Sequence, residues 1–85
     1  MARYSLEFKR SVAKDLEGVP KRDLERILER IDRLRDDPRP PGSVKLSGQE
    51  CYRVRQGNYR IVYEIIDDRL VVVVVAVGHR RDVYR

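Results

Sequence analysis

The second half of the chain ends in an uninterrupted run of apolar residues at positions 70–77, most of them valine. Valine favours β-strands, and the run is far shorter than the ~20 residues of a membrane-spanning helix. Because the run lacks the alternation of a half-buried strand, it is typical of a central strand that is covered on both faces or lies at a protein interface. Such a strand requires neighbouring strands and a covering layer.

Two further strand patterns precede this run. They cover positions 51–55 and 59–66, and residues of turn composition separate each strand from the next, at 56–58 and 67–69. The short connections predict an antiparallel meander of three strands.

The first half of the chain changes from strand to helix periodicity. Residues 2–8 alternate between apolar and polar, which predicts a strand. From Lys9 the apolar spacing becomes three and four, which predicts a helix that ends near Gly18, and Pro20 suits the first turn of a second helix. The apolar stripe of that second helix comprises Leu24, Ile27, Leu28, Ile31 and Leu34.

The proline-rich segment 37–43 cannot continue a helix and is predicted to be a connector within one domain. The chain is therefore predicted to be a single α+β domain over residues 1–85. It comprises an N-terminal strand, a helical hairpin, a three-stranded antiparallel meander and a short C-terminal tail.

Composition narrows the possible partners. A net charge of +5 and a pI of about 9.7 favour a polyanion, although basicity can also serve solubility alone. A single cysteine, Cys51, and a single histidine, His79, argue against a disulfide framework, a cysteine-based metal site and a structural zinc centre. Charges interrupt any signal-peptide pattern near the N-terminus, so we expect a soluble cytoplasmic protein with no membrane association.

The arginine pattern of the first two meander strands is the main functional signal. If paired residue numbers sum to 115, the apolar residues share one face, Arg55 lies opposite Arg60, and Arg53 lies on the same side. Like charges opposite each other weaken a sheet, so folding alone gives no reason to gather them. The face could be merely a charged, solvated surface, or it could be a preorganised phosphate site, since guanidinium groups bind phosphate in a bidentate fork.

The C-terminal residues add further functional side chains. Gly78 is predicted to form a turn that brings Arg80 and Tyr84 back over the sheet, where a tyrosine ring could stack on an unpaired base. A loose, solvating tail of arginines is the alternative.

Several motifs together resemble the RelE branch of the RelE/ParE toxin superfamily over nearly the full chain. The motifs are KLSG at 45–48, YRVR at 52–55, GNYRIVY at 57–63 and GHRRDVY at 78–84. The resemblance implies a RelE-like fold and a ribosome-dependent endoribonuclease, an mRNA interferase that inhibits translation by cutting mRNA in the ribosomal A site. It also implies a cognate antitoxin, expected to be small and acidic, and chemistry without a metal, in which the RNA 2′-hydroxyl attacks the adjacent phosphate.

The same resemblance implies roles for individual residues. Arg60 would stabilise the transition-state phosphate, Arg80 would assist it or the leaving oxygen, and Tyr84 would stack on or orient a nucleotide. Arg53 and Arg55 stand where better-known members carry lysines. Arginine stays protonated, so these two residues can supply positive charge but cannot readily accept a proton.

The sequence therefore does not determine which group is the general base. Histidine is the residue type best suited to proton transfer near neutral pH, so His79 is a catalytic candidate, although it could equally be a turn residue at a position where relatives carry lysine. Lys45, Tyr84 or a ribosomal group could serve instead. Lys45 and Arg81 are also expected to contact RNA, together with Arg53 and Arg55.

Two other functions remain possible for this fold. ParE-type relatives poison DNA gyrase through protein contacts and do not cut RNA. An inactive scaffold that only binds the antitoxin is the third possibility. The arginines and Tyr84 favour the nuclease, because a gyrase binder has no need of them.

Overall fold

The computed structural model of the protein describes residues 3–48 and 50–79. Within these residues the chain forms two helices and a five-stranded mixed sheet, which confirms the predicted α+β class. The elements in chain order are β1 (Ser5–Phe8), α1 (Arg10–Glu17), α2 (Lys21–Arg33), β2 (Val44–Lys45), β3 (Cys51–Gln56), β4 (Tyr59–Ile66), one turn of 3-10 helix (Asp67–Arg69) and β5 (Val71–His79).

The strands lie in the order β1-β5-β4-β3-β2. Strands β3, β4 and β5 form the predicted antiparallel meander, and β1 runs parallel to β5 along its first half, from Ser5 beside Val71 to Phe8 beside Val74. The valine-rich strand β5 therefore lies inside the sheet, as its composition predicts.

Both helices pack on the same face of the sheet, which we call the helix face. The spacing of their apolar residues places Val12 of α1 and Ile27 and Ile31 of α2 against the strands, and all three are essentially inaccessible to solvent. The remaining residues of this core are Leu34, Val54, Ile61, Tyr63, Val72, Val74 and Val77.

Strand β5 is interrupted by a β-bulge. Val74 pairs with Tyr63 and Ala76 pairs with Val62, so Val75 is an extra residue between them. The bulge allows Val77 as well as Val74 to point into the core, while Val73 and Ala76, on the other face, are only half-buried. The described residues thus cover the central strand fully on one face alone.

The turns follow the local sequence signals with one exception. Helix α1 ends at Glu17 and is capped by Gly18, Pro20 precedes α2, and Gly57 occupies the left-handed region at a φ of 59° in the β3–β4 hairpin. The turn predicted at Gly78 is wrong: β5 continues through Gly78, which pairs with Arg60, and ends at His79. The ladder with β4 holds the glycine in the strand.

Strands β1 and β2 also differ from the prediction. Strand β1 begins at Ser5 rather than at position 2, and Ala2 lies outside the described residues. The two-residue strand β2 has no periodicity of its own and was not predicted; it exists because Val44 and Lys45 pair with the edge of β3. No helix in the described part of the chain has the length and apolar character needed to cross a membrane.

The proline-rich connector is held to the sheet by hydrogen bonds. Tyr63 is buried and its hydroxyl donates to the Pro38 carbonyl at 2.7 Å, and burial raises the pKa of Tyr63 to about 12. Arg39 binds both carboxylate oxygens of Asp67, at 3.2 and 2.9 Å, and donates to the Tyr52 hydroxyl. Tyr4 also donates to Asp67, at 2.8 Å. The connector is thereby tied to the middle of β4, to β3 and to the turn after β4, and Tyr4 holds that turn to the segment before β1.

Candidate functional site

The register of the β3–β4 hairpin is the one predicted from the arginine pattern. Val54 lies opposite Ile61, Arg55 lies opposite Arg60, and Arg53 lies opposite Val62. Since directly paired residues share a face, all three arginines lie on the face opposite the helices. We call this surface the arginine face.

Burial differs among the three arginines. Arg55 is exposed, whereas Arg53 and Arg60 are half-buried, and Val62 lies between them with only 7% of its surface accessible. The Arg53 Nε is buried and has no hydrogen-bond partner among the described residues. A buried N–H donor without an acceptor costs free energy, and an oxyanion bound at this face would relieve that cost.

The helix face, by contrast, holds two of the residues that the sequence suggested for RNA contact or catalysis. Lys45 pairs with Tyr52, which points to the helix face, and its Nζ lies 3.9 Å from a carboxylate oxygen of Glu50. The residue of β2 on the arginine face is Val44, which pairs with Arg53. The structure therefore does not bring Lys45 together with the arginines.

His79 is likewise on the helix face. It pairs with Tyr59, and the two rings meet edge to face with their centroids 5.7 Å apart. The bulge at Val75 is responsible, because one extra residue reverses the facing of every residue after it, and without it His79 would point to the arginine face. Arg80, Arg81 and Tyr84 lie outside the described residues.

Sequence reasoning overlooked one ionisable residue on the arginine face. Glu64 follows Arg60 and Val62 in the alternation of β4 and pairs with Cys51. Extending the same alternation by two residues would have identified it. Burial is the main cause that raises the pKa of the Cys51 thiol, and the Glu64 carboxylate adds to it, so this end of the face is less cationic than the end that carries Arg60.

Comparison with known proteins is consistent with this architecture. The family model described as the ParE toxin of the type II toxin–antitoxin system parDE matches residues 6–84. A RelE-like toxin protein of Escherichia coli is 34% identical over 87 residues, which cover 96% of this chain and 90% of that protein. The mRNA interferase toxin RelE of Escherichia coli strain K12 is 31% identical over 79 residues, which cover 91% of this chain and 83% of that protein.

Solved structures agree with these matches. The archaeal RelE–RelB complex from Pyrococcus horikoshii contains a chain that superposes with a TM-score of 0.83 at 29% identity, covering 94% of this chain and 98% of that one. From the fold, the register and these similarities together, the chain belongs to the RelE/ParE family of toxins of type II toxin–antitoxin systems.

Proposed function

We propose that this toxin is an endoribonuclease that cuts mRNA in the ribosomal A site and so stops translation. The observation that carries the proposal is the gathering of Arg53, Arg55 and Arg60 on one face of two neighbouring strands. The similarity to the mRNA interferase toxin RelE supports the same substrate. The paired strands fix the backbone positions of the three arginines on one face, which favours one phosphodiester over diffuse binding of a polyanion.

The proposed chemistry is attack of the RNA 2′-hydroxyl on the adjacent phosphate. The 2′-oxygen–phosphorus bond forms and the bond to the 5′-oxygen breaks, leaving a 2′,3′-cyclic phosphate and a 5′-hydroxyl. Negative charge builds on the phosphorane, and fixed cations are the main requirement for its stabilisation. Arg60 is assigned to that charge and Arg80 to the phosphate or leaving oxygen, while Tyr84 stacks on or orients a nucleotide.

Protein groups that could accept the 2′-hydroxyl proton are few. Arginine remains protonated, and the facing of His79 and Lys45 toward the helices argues against both. The remaining candidates for the proton acceptor are Tyr84, the Glu64 carboxylate on the arginine face and a ribosomal group. If one of these accepts the proton, replacing His79 with glutamine leaves the pH dependence of cleavage unchanged, whereas loss of the rise in rate on the acid side of the profile would identify His79 as the base.

A cognate antitoxin is the proposed regulatory partner, since solved relatives such as the Escherichia coli RelBE toxin are complexed with one. An apolar groove of about 430 Å³ between the two helices and the end of β1 fits an amphipathic segment. Phe8 and Leu28 line the groove and are 45% and 41% exposed, and Lys9 and Arg10 add positive charge. This surface suits an acidic partner.

The deciding experiment adds the protein to a reconstituted translation reaction and maps mRNA ends by primer extension. We expect cuts within the A-site codon for the wild type and none for Arg60→Ala, which should still bind the antitoxin. Arg26→Ala removes the same charge from the exposed side of α2 and should cut normally. Arg60→Ala and Arg80→Ala should both relieve growth arrest in cells.

The main alternative is a gyrase poison, which the ParE description of the matching family favours. Uncut message together with blocked gyrase supercoiling would establish that alternative. Uncut message with normal supercoiling would instead indicate a scaffold that only binds the antitoxin.

A further inference from the structure

Within residues 3–48 and 50–79, half of strand β5 has a strand neighbour on one side only. Its pairing with β1 ends at Val74, whose carbonyl accepts from the Lys9 N–H, after which the chain turns into α1. Among the described residues, β5 beyond Val74 is paired with β4 alone. Its other edge would leave backbone N–H groups without a partner.

A carboxylate from α1 fills this position. An oxygen of Asp15 accepts a hydrogen bond from the backbone N–H of Val77 at 3.1 Å, and both residues are at least partly buried. Asp15 is on the same helical face as Val12 and Leu16, which pack on the core, so α1 holds the carboxylate firmly against the strand. The bond joins residues 62 positions apart in the chain.

The location of this bond relates it to the arginine face. The bulge at Val75 turns the Val77 N–H toward the open edge, and a strand without the bulge would present Ala76 there instead. The next residue, Gly78, pairs with Arg60, and the chain then continues through His79 to Arg80. The Asp15 bond therefore stabilises the bulged pairing of β5 with β4, in which Gly78 lies beside Arg60.

We infer that Asp15 is a positioning residue for RNA cleavage: by binding the Val77 N–H it fixes the bulged end of β5 beside Arg60. This inference rests on the proposed nuclease function. Asp15 itself lies on α1, on the helix side of the sheet, and not on the arginine face. Its effect passes through the backbone, and small displacements of catalytic groups can be costly to catalysis without weakening substrate binding.

The test measures kcat and KM for cleavage of ribosome-bound mRNA by four proteins. Asp15→Ala should lower kcat by roughly ten- to hundredfold with little change in KM. Asp15→Asn retains a carbonyl oxygen and should recover most of the rate. Glu17→Ala, at the exposed end of α1, raises the net charge by the same unit and should match the wild type.

A purely structural role is separated by measuring each protein's folded fraction at the assay temperature. A folded Asp15→Ala protein with wild-type kcat overturns the inference, as does an Asp15→Asn protein as slow as Asp15→Ala. If the alanine protein does not fold, Asp15→Glu keeps the charge, displaces the carboxylate by one methylene and should show a reduced kcat; an unchanged kcat overturns the inference.

A measurement without RNA distinguishes failure of the proposed nuclease function from failure of the positioning effect. Amide hydrogen exchange at Val77 should be faster in Asp15→Ala than in the wild type, and the amide resonances of Gly78 and Arg60 should shift. If the wild-type protein cuts no RNA, the nuclease proposal fails together with the catalytic part of this inference. If these amides are unchanged by Asp15→Ala, the positioning effect itself is overturned, whatever the protein's activity.

Discussion

At the scale of single residues, arginines that serve the proposed function also reduce the stability of the sheet. Arg55 lies directly opposite Arg60, and like charges in that position weaken a sheet. We expect Arg55→Glu to raise the free energy of unfolding by about 0.5 kcal/mol, because the new carboxylate attracts Arg60. The measurement is urea denaturation, and the same protein should cut mRNA more slowly than the wild type.

Arg26→Glu is the control for the cleavage arm of that experiment. It changes the net charge equally on the exposed side of α2 and should not affect cleavage. An Arg55→Glu protein that is both less stable and fully active would show that the two guanidinium groups neither repel each other nor act on the phosphate.

The facing of these arginines was predictable because it depends only on alternation and on one short hairpin. The facing of His79 was not, because it depends on the bulge at Val75, and nothing in a run of valines marks which residue will be extra. Lys45 shows the same limit, since its facing comes from pairing with Tyr52 across a loop. Local pattern thus determines faces within a hairpin, and tertiary contacts determine them elsewhere.

At the scale of elements, the proline-rich connector depends on a bond that its own sequence does not reveal. Tyr63→Phe removes the hydroxyl that donates to the Pro38 carbonyl and leaves that buried acceptor without its partner. We expect a loss of about 1–3 kcal/mol in the free energy of unfolding. Tyr52→Phe removes a hydroxyl of the same kind from a more exposed bond to Arg39 and should cost less.

The turn that contains Asp67 should make the stability of the fold depend on pH in the acid range. Hydrogen bonds from Arg39 and then Tyr4 lower the pKa of Asp67 below its usual value of 3.8. A lowered folded-state pKa gives stability that is present above the unfolded pKa and is lost as the pH falls through the folded one. The Tm difference between wild type and Asp67→Asn should be largest near pH 7. It should shrink as the pH falls below about 4.

Asp37→Asn is a suitable control for that titration, since Asp37 is an exposed acid of the connector that accepts only a local bond from the Arg39 N–H. Its Tm should follow the wild type much more closely. If the Asp67→Asn difference persisted unchanged to low pH, the ionised carboxylate would not be the stabilising group.

At the scale of the whole molecule, the two proposed functions lie on opposite sides of the domain. RNA cleavage belongs to one side and antitoxin binding to the other. The arginine face is on one side of the sheet, and the apolar groove lies between the helices on the other, beside β1, which is an edge strand in the described part of the chain. Composition predicted a basic domain that favours a polyanionic partner. It could not predict the groove, because Leu28 belongs to the same stripe as the buried Ile27 and Ile31, and only the packed structure leaves it 41% exposed.

Because the two surfaces are separate, a substitution in the groove should weaken antitoxin binding without affecting RNA cleavage. Leu28→Glu puts a charge into the groove and should weaken antitoxin binding by roughly tenfold or more, because charge is poorly tolerated at the apolar centre of an interface. Cleavage should be unaffected, so cells would be arrested even when the antitoxin is expressed. Leu70→Glu is the matched control, since Leu70 is 39% exposed but lies outside the groove. Calorimetric titration of the antitoxin measures the affinity, and equal affinities for Leu28→Glu and Leu70→Glu would place the antitoxin elsewhere on the domain.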